Sequence, residues 1–142
     1  LTKKEFKEVL NLRLLLESEA VDKACQLRTK RAIPKVKKIF EAMQKQMAVN
    51  HKGYIKKNDQ FHQTIYAYAG SPLLLELIQR LLARVNPYVY LYAIDNMDLS
   101  SAAECHSEML EGFCDGDSKR TITALHRDLQ GAGNIILSHL EK

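Results

Sequence analysis

Tyr54-Ile-Lys-Lys-Asn58-Asp-Gln-Phe-His62-Gln-Thr-Ile65-Tyr-Ala-Tyr-Ala69-Gly70-Ser71-Pro72-Leu-Leu74 reads as one helix, a stop and the start of another. Ile55, Ile65 and Ala69 fall on one helical face, and Asn58 and His62, four residues apart, interrupt that same face. Gly70 is a good residue for a helix C-terminus, where a left-handed backbone is needed. Ser71-Pro72 then supplies an N-cap and a first-turn proline. A helix punctuated this tightly and followed at once by another predicts a helical hairpin.

The pattern extends in both directions. After Pro72, Leu74, Leu77, Ile78, Leu81, Leu82 and Val85 form an apolar stripe that Pro87 kinks or ends. Tyr88-Val-Tyr-Leu-Tyr92 alternates like a strand, but in a chain otherwise helical we expect residues 88–95 to continue as helix. Upstream, Thr2-Lys-Lys-Glu5 is a capping box opening a first helix to about Leu27. A second runs from Ile33 to Asn50, with Pro34 in its first turn and Gly53 breaking the chain before the third. Downstream, Asn96 to Ser100 reads as a loop and Ser101-Ala-Ala-Glu104 as a second capping box. The helix it opens ends near Asp115, and Asp117 or Ser118 caps a last one to about Leu140, with Gly131 and Gly133 as close-packing points. The fold class is therefore all-α, an antiparallel bundle of about six helices in a single domain over residues 1–142.

Composition narrows the function classes. A 142-residue chain with 46% hydrophobic residues can bury a core of its own. No window nears the run of about 18 apolar residues that a membrane span requires, and Lys3 and Lys4 introduce no signal peptide. The net charge of +4 concentrates in Arg28, Lys30, Arg31, Lys35, Lys37 and Lys38, a solvated helix junction without a nucleic-acid reading motif. Three cysteines, Cys25, Cys105 and Cys114, share no metal-binding spacing and read as reduced thiols of a cytoplasmic protein. The first residue is Leu1, so we expect a piece of a longer chain with a partner domain outside it.

Polar residues inside apolar stripes are the functional signal. His106 interrupts Leu99, Ala102, Ala103, Leu110 and Phe113, and Asp128 lies beside Leu125, Leu129, Ala132 and Ile136. Buried polar groups need partners. Asn58, His62, His106 and Asp128, pointing inward from separate helices, could satisfy one another through a shared metal ion of the Zn, Ni or Mn class. Core hydrogen bonding without a metal is the plainer reading of each residue taken singly. Asp59 is a stronger ligand type than Asn58 but is rotated about 100° from it, off the face that Asn58 shares with His62. His126 is a better ligand type than Asp128 and lies on a different face; both are kept in reserve. His51 and His139 sit near helix ends. Arg13 and Glu17, four apart on the first helix, read either as an intrahelical ion pair or as a bidentate carboxylate clamp facing a pocket. Tyr66, Tyr68, Tyr88, Tyr90 and Tyr92 are concentrated enough to line a pocket or an interface. No nucleophile elbow, phosphate loop or paired acid motif is present, so an enzyme is not expected.

These residues together resemble the FCD ligand-binding domain of FadR-subfamily GntR-type bacterial transcription regulators. Arg13-Leu-Leu-Leu-Glu17 resembles the family's R..LE. Asn58-Asp-Gln-Phe-His62 through Ala69-Gly-Ser-Pro-Leu-Leu74 resembles its D..FH…GNP.L segment, and Glu104-Cys-His106 with Gly116-Asp117 its EH…GD segment. The resemblance implies a homodimeric helical bundle holding a divalent metal and a small carboxylate effector. It also implies DNA contact only through an N-terminal winged helix-turn-helix domain outside this sequence. The carboxylate would lie between the metal and Arg13, with Arg84 and Tyr88 as further effector contacts. Two departures stand out: the family's usual ligand Asp four residues before His62 is Asn58, and its usual final His falls on Asp128. One carboxylate thus remains in the set. The alternatives to effector sensing are a metal-dependent hydrolase or lyase and a metal-free interaction module.

Overall fold

In the computed structural model, which describes residues 1–140, α1 spans Lys3–Leu27. Thr2 accepts from the Glu5 amide at 3.1 Å while the Glu5 carboxylate accepts from the Thr2 amide at 2.7 Å, the reciprocal pairing that its sequence predicts. The remaining helices are α2 (Ala32–Met47), α3 (His51–Ala67), α4 (Pro72–Tyr88), α5 (Leu99–Asp115) and α6 (Ser118–His139). No strand occurs among the described residues, and the architecture is an all-α bundle. Among the described residues, no helix is long and apolar enough to cross a membrane.

Three boundaries differ from the sequence expectation. Gly53 does not break the chain, because Asn50 caps α3 earlier, its side chain accepting from the Gly53 amide at 3.2 Å. α5 opens at Leu99 rather than at the Ser101 box. Asp98 accepts from the Ser101 amide at 3.1 Å, and a carboxylate at that end also complements the helix dipole. Pro87 lies inside α4, and the helix continues into a π-turn over Val89–Ala93, closed by the Ile94 amide on the Val89 carbonyl at 3.1 Å. Residues 88–93 are thus helical, as the all-helical context implied.

α1 is the central element, packing against α3, α4, α5 and α6. Its Phe6, Val9, Leu10, Ala20, Val21 and Ala24 are buried. Only Gly116 and Asp117 separate α5 from α6, so these two helices must run antiparallel. Gly116 makes the reversal in the left-handed region, at φ 69°. Gly133 meets Leu10 closely, whereas Gly131 faces open space and is no packing point. Gly112 is the tightest approach: a Cβ there would stand 2.3 Å from Thr121 Oγ1 and 3.0 Å from the Thr121 backbone nitrogen. Because backbone cannot yield as a side-chain tip can, Gly112→Ala is expected to destabilise the chain by about 1–3 kcal/mol, read as a lower urea midpoint.

Among the described residues, the only buried polar or charged ones are Glu17, His62, His106 and Thr121. Thr121 is satisfied locally, its hydroxyl donating to the Asp117 carbonyl at 2.7 Å. The other three converge on one place.

Candidate functional site

α3, α5 and α6 each contribute to that place. His62 and His106 rings lie 5.5 Å apart, centroid to centroid, and nearly perpendicular at 86°. His106 Nε2 is 3.0 Å from Asp128 Oδ2 and hydrogen-bonded to it. His62 Nε2 is 3.1 Å from the same oxygen, yet it is buried without a hydrogen-bond partner. The distance is right for a hydrogen bond; the direction is not. One donor atom from each of the three residues fits within a span of 4.8 Å. Asn58, one turn before His62, adds a buried Oδ1 that also lacks a partner and lines the same cavity.

The electrostatics follow from this packing. Burial pushes the Asp128 carboxyl up, but His106 and then His62 outweigh it and hold the group well below the usual carboxylate range. Tyr54 reaches His106 Nδ1 at 3.4 Å, and burial, then the Asp128 charge, raises its phenol. On the other side, His62 Nδ1 lies 3.1 Å from the Tyr66 hydroxyl, which donates to Glu17 Oε1 at 2.7 Å. Arg13 donates from Nε to Glu17 Oε2 at 2.8 Å and from Nη2 to Oε1 at 3.5 Å. Arg13 thus forms the intrahelical ion pair with Glu17 and also borders the cavity.

The cavity measures about 70 Å³ and is bordered by Arg13, Tyr54, Asn58, Asp59, His62 and Asp128, among others. A second, of about 110 Å³, lies on the far side of Asp128 against Ser101, Cys105 and Arg127. Asp59 borders the first cavity without joining the ligand cluster; it is rotated about 100° from Asn58. Burial raises its carboxyl, with His62 and Arg13 opposing. His126 is exposed, bound to Ser18 Oγ at 2.7 Å; it faces away because two residues turn a helix by about 200°. Arg84 and Tyr88 do not border the cavity. Arg84 is exposed because Leu82 and Val85 take the inward positions of α4. Tyr88 packs edge-on against Phe6. Cys25, Cys105 and Cys114 are free thiols. Tyr54 and the bond between Tyr66 and His62 escaped the sequence reading, although the spacing of four between His62 and Tyr66 was a visible signal.

No curated protein matches the chain. Among solved structures, E. coli McbR/YncC superposes with a TM-score of 0.86 at 24% identity, covering 95% of this chain and 69% of that one. The metal-free FCD domain of TM0439 superposes with a TM-score of 0.78 at 14% identity, covering 97% and 95%. Both likenesses concern the fold. The family model for the FCD domain matches residues 8–141, nearly the whole sequence, and the chain belongs to the FCD domain family.

Proposed function

We propose that this chain is the effector-sensing and dimerisation domain of a transcription regulator, taking a small organic acid beside a divalent metal. One observation carries the metal: His62 Nε2 and Asn58 Oδ1 are both buried and unpartnered, the first 3.1 Å from Asp128 Oδ2 and the second on a residue that borders the same cavity. Ligands held about 2.0–2.2 Å from one ion stand roughly 3 Å apart from each other, the separation found between Asp128 Oδ2 and both imidazoles. Two imidazoles, a carboxylate and an amide oxygen suit Zn, Ni or Mn. When bound, the ion would supply positive charge to a ligand carboxylate. Arg13, on the cavity wall, would orient the ligand's other end. Ligand binding would favour one helix arrangement and so re-space the DNA-binding domains of a dimer.

Elemental analysis of protein purified without chelators tests the metal. About one ion per chain is expected, and His62→Ala should abolish it. Calorimetric titration with small mono- and dicarboxylates then tests the effector. Failure to bind Zn²⁺, Ni²⁺ or Mn²⁺, with a melting temperature indifferent to chelator, would leave a metal-free module instead.

A further inference from the structure

His62 is the end of a buried chain of hydrogen bonds whose polarity can be assigned from its far end. Glu17 has a side chain 1% exposed, and the Arg13 guanidinium contacts both its oxygens. A carboxylate paired in this way only accepts. The Tyr66 hydroxyl, 2.7 Å from Glu17 Oε1, must therefore spend its one proton on Glu17. Tyr66 is fully buried, and a phenol keeps its proton at neutral pH. Having no second proton, the hydroxyl can only accept from His62 Nδ1, 3.1 Å away. A neutral imidazole carries one ring proton, so its Nε2 is left with a lone pair.

We infer that Glu17 and Tyr66 are positioning residues that fix His62 with its ring proton on Nδ1 and leave its Nε2 lone pair free beside Asp128. This accounts for an otherwise odd contact. Two acceptors, Nε2 and Asp128 Oδ2, lie 3.1 Å apart without a hydrogen bond. Such a pair is stabilised by a cation bound to both. The use of the relay, resting on the metal proposed above, is to present one ligand already in its binding tautomer.

His106 differs. Its Nε2 is the hydrogen-bonded contact to Asp128, and its Nδ1 meets only Tyr54 at 3.4 Å. In the metal-free protein its proton sits on Nε2 and must move before that nitrogen can bind a metal. The two histidines of one site are thus held in opposite tautomers by their neighbours. Arg13 ties the relay to the cavity: an acid that draws Arg13 from Glu17 alters the group anchoring His62.

Nitrogen-15 NMR of the histidine-labelled, metal-free 142-residue chain reads the tautomers directly. His62 is expected with a protonated Nδ1 and an unprotonated Nε2, and His106 with the reverse. Tyr66→Phe removes the acceptor for His62 Nδ1, together with the donor to Glu17, and should shift His62 toward the Nε2-protonated form. Glu17→Gln, whose amide can donate to Tyr66 and release the phenol proton toward Nδ1, should do the same without loss of volume. With Co²⁺ alone as probe, both variants should bind 10–100-fold more weakly, the range typical when a ligand's supporting hydrogen bond is lost. An Nε2-protonated His62 in the natural chain, or a tautomer unmoved by both variants, overturns the relay whatever the metal does. The expected tautomers with no Co²⁺ bound to the natural chain would instead overturn the metal reading.

Discussion

Glu17→Ala is expected to lower the stability of the chain by about 3–5 kcal/mol, a Tm lower by roughly 10–15 °C. Three losses combine. The Arg13 guanidinium, with a side chain only 13% exposed, keeps its charge and loses its counter-ion. The fully buried Tyr66 hydroxyl loses the acceptor of its proton, a penalty of about 1–3 kcal/mol for an unsatisfied buried group. The vacated volume lies among buried side chains of the central helix, where collapse is restricted. An exposed i,i+4 pair would contribute only about 0.3–0.5 kcal/mol, so burial decides the magnitude. Replacing both members, as Arg13→Met with Glu17→Met, should cost less than Glu17→Ala, because no uncompensated charge is left behind. Urea unfolding of the three chains gives the comparison. A loss below about 1 kcal/mol for Glu17→Ala would mean that the pair behaves as a surface pair.

Periodicity and punctuation made the helices legible. Ala69-Gly70-Ser71-Pro72 stops one helix and starts the next because each residue has a narrow backbone role. The misplaced boundaries arose where two signals competed over a few residues. Asp98 and Ser101 are both good caps, and the choice between them depends on where the chain leaves the π-turn, a tertiary matter. Gly53 reads as a breaker until Asn50 is seen to accept from its amide, which places the glycine inside the first turn.

His62, His106 and Asp128 were visible because a polar residue within an apolar stripe is costly unless partnered. That they face one another is a property of helix packing that no single stripe encodes. Helix rotation keeps the reserve candidates out of the donor cluster. Asp59 is one position from Asn58 and His126 two from Asp128, and each turns away from the donor cluster. Arg84 could not be placed without knowing which side of α4 meets α1. The bond from Tyr66 to Glu17 joins residues 49 apart in sequence and was out of reach of local pattern.

Asp128→Asn is expected to weaken metal binding by more than about 100-fold, or about 2.7 kcal/mol, because it removes the one carboxylate among the donor side chains. The amide still offers an oxygen to His106, but its NH2 would face nitrogen lone pairs that a cation needs. The same carboxylate also leaves a pH signature in the metal-free chain. His106 and His62 hold Asp128 below its unfolded value of about 3.9. A depressed carboxylate stabilises the fold above its unfolded pKa and loses that contribution as the pH falls through the folded one. The stability gap between the natural chain and Asp128→Asn should therefore be full above about pH 4 and shrink progressively below it. Adding Asn58→Asp to Asp128→Asn returns a carboxylate to the same donor set, now from α3, where Asn58 Oδ1 has no hydrogen-bond partner. The double variant should regain at least about 10-fold in affinity, since ligand charge is restored although its position is exchanged. Calorimetric titration with Zn²⁺ across the three chains measures each step. If Asp128→Asn binds Zn²⁺ as tightly as the natural chain, Asp128 is a hydrogen-bond partner of His106 and not a metal ligand.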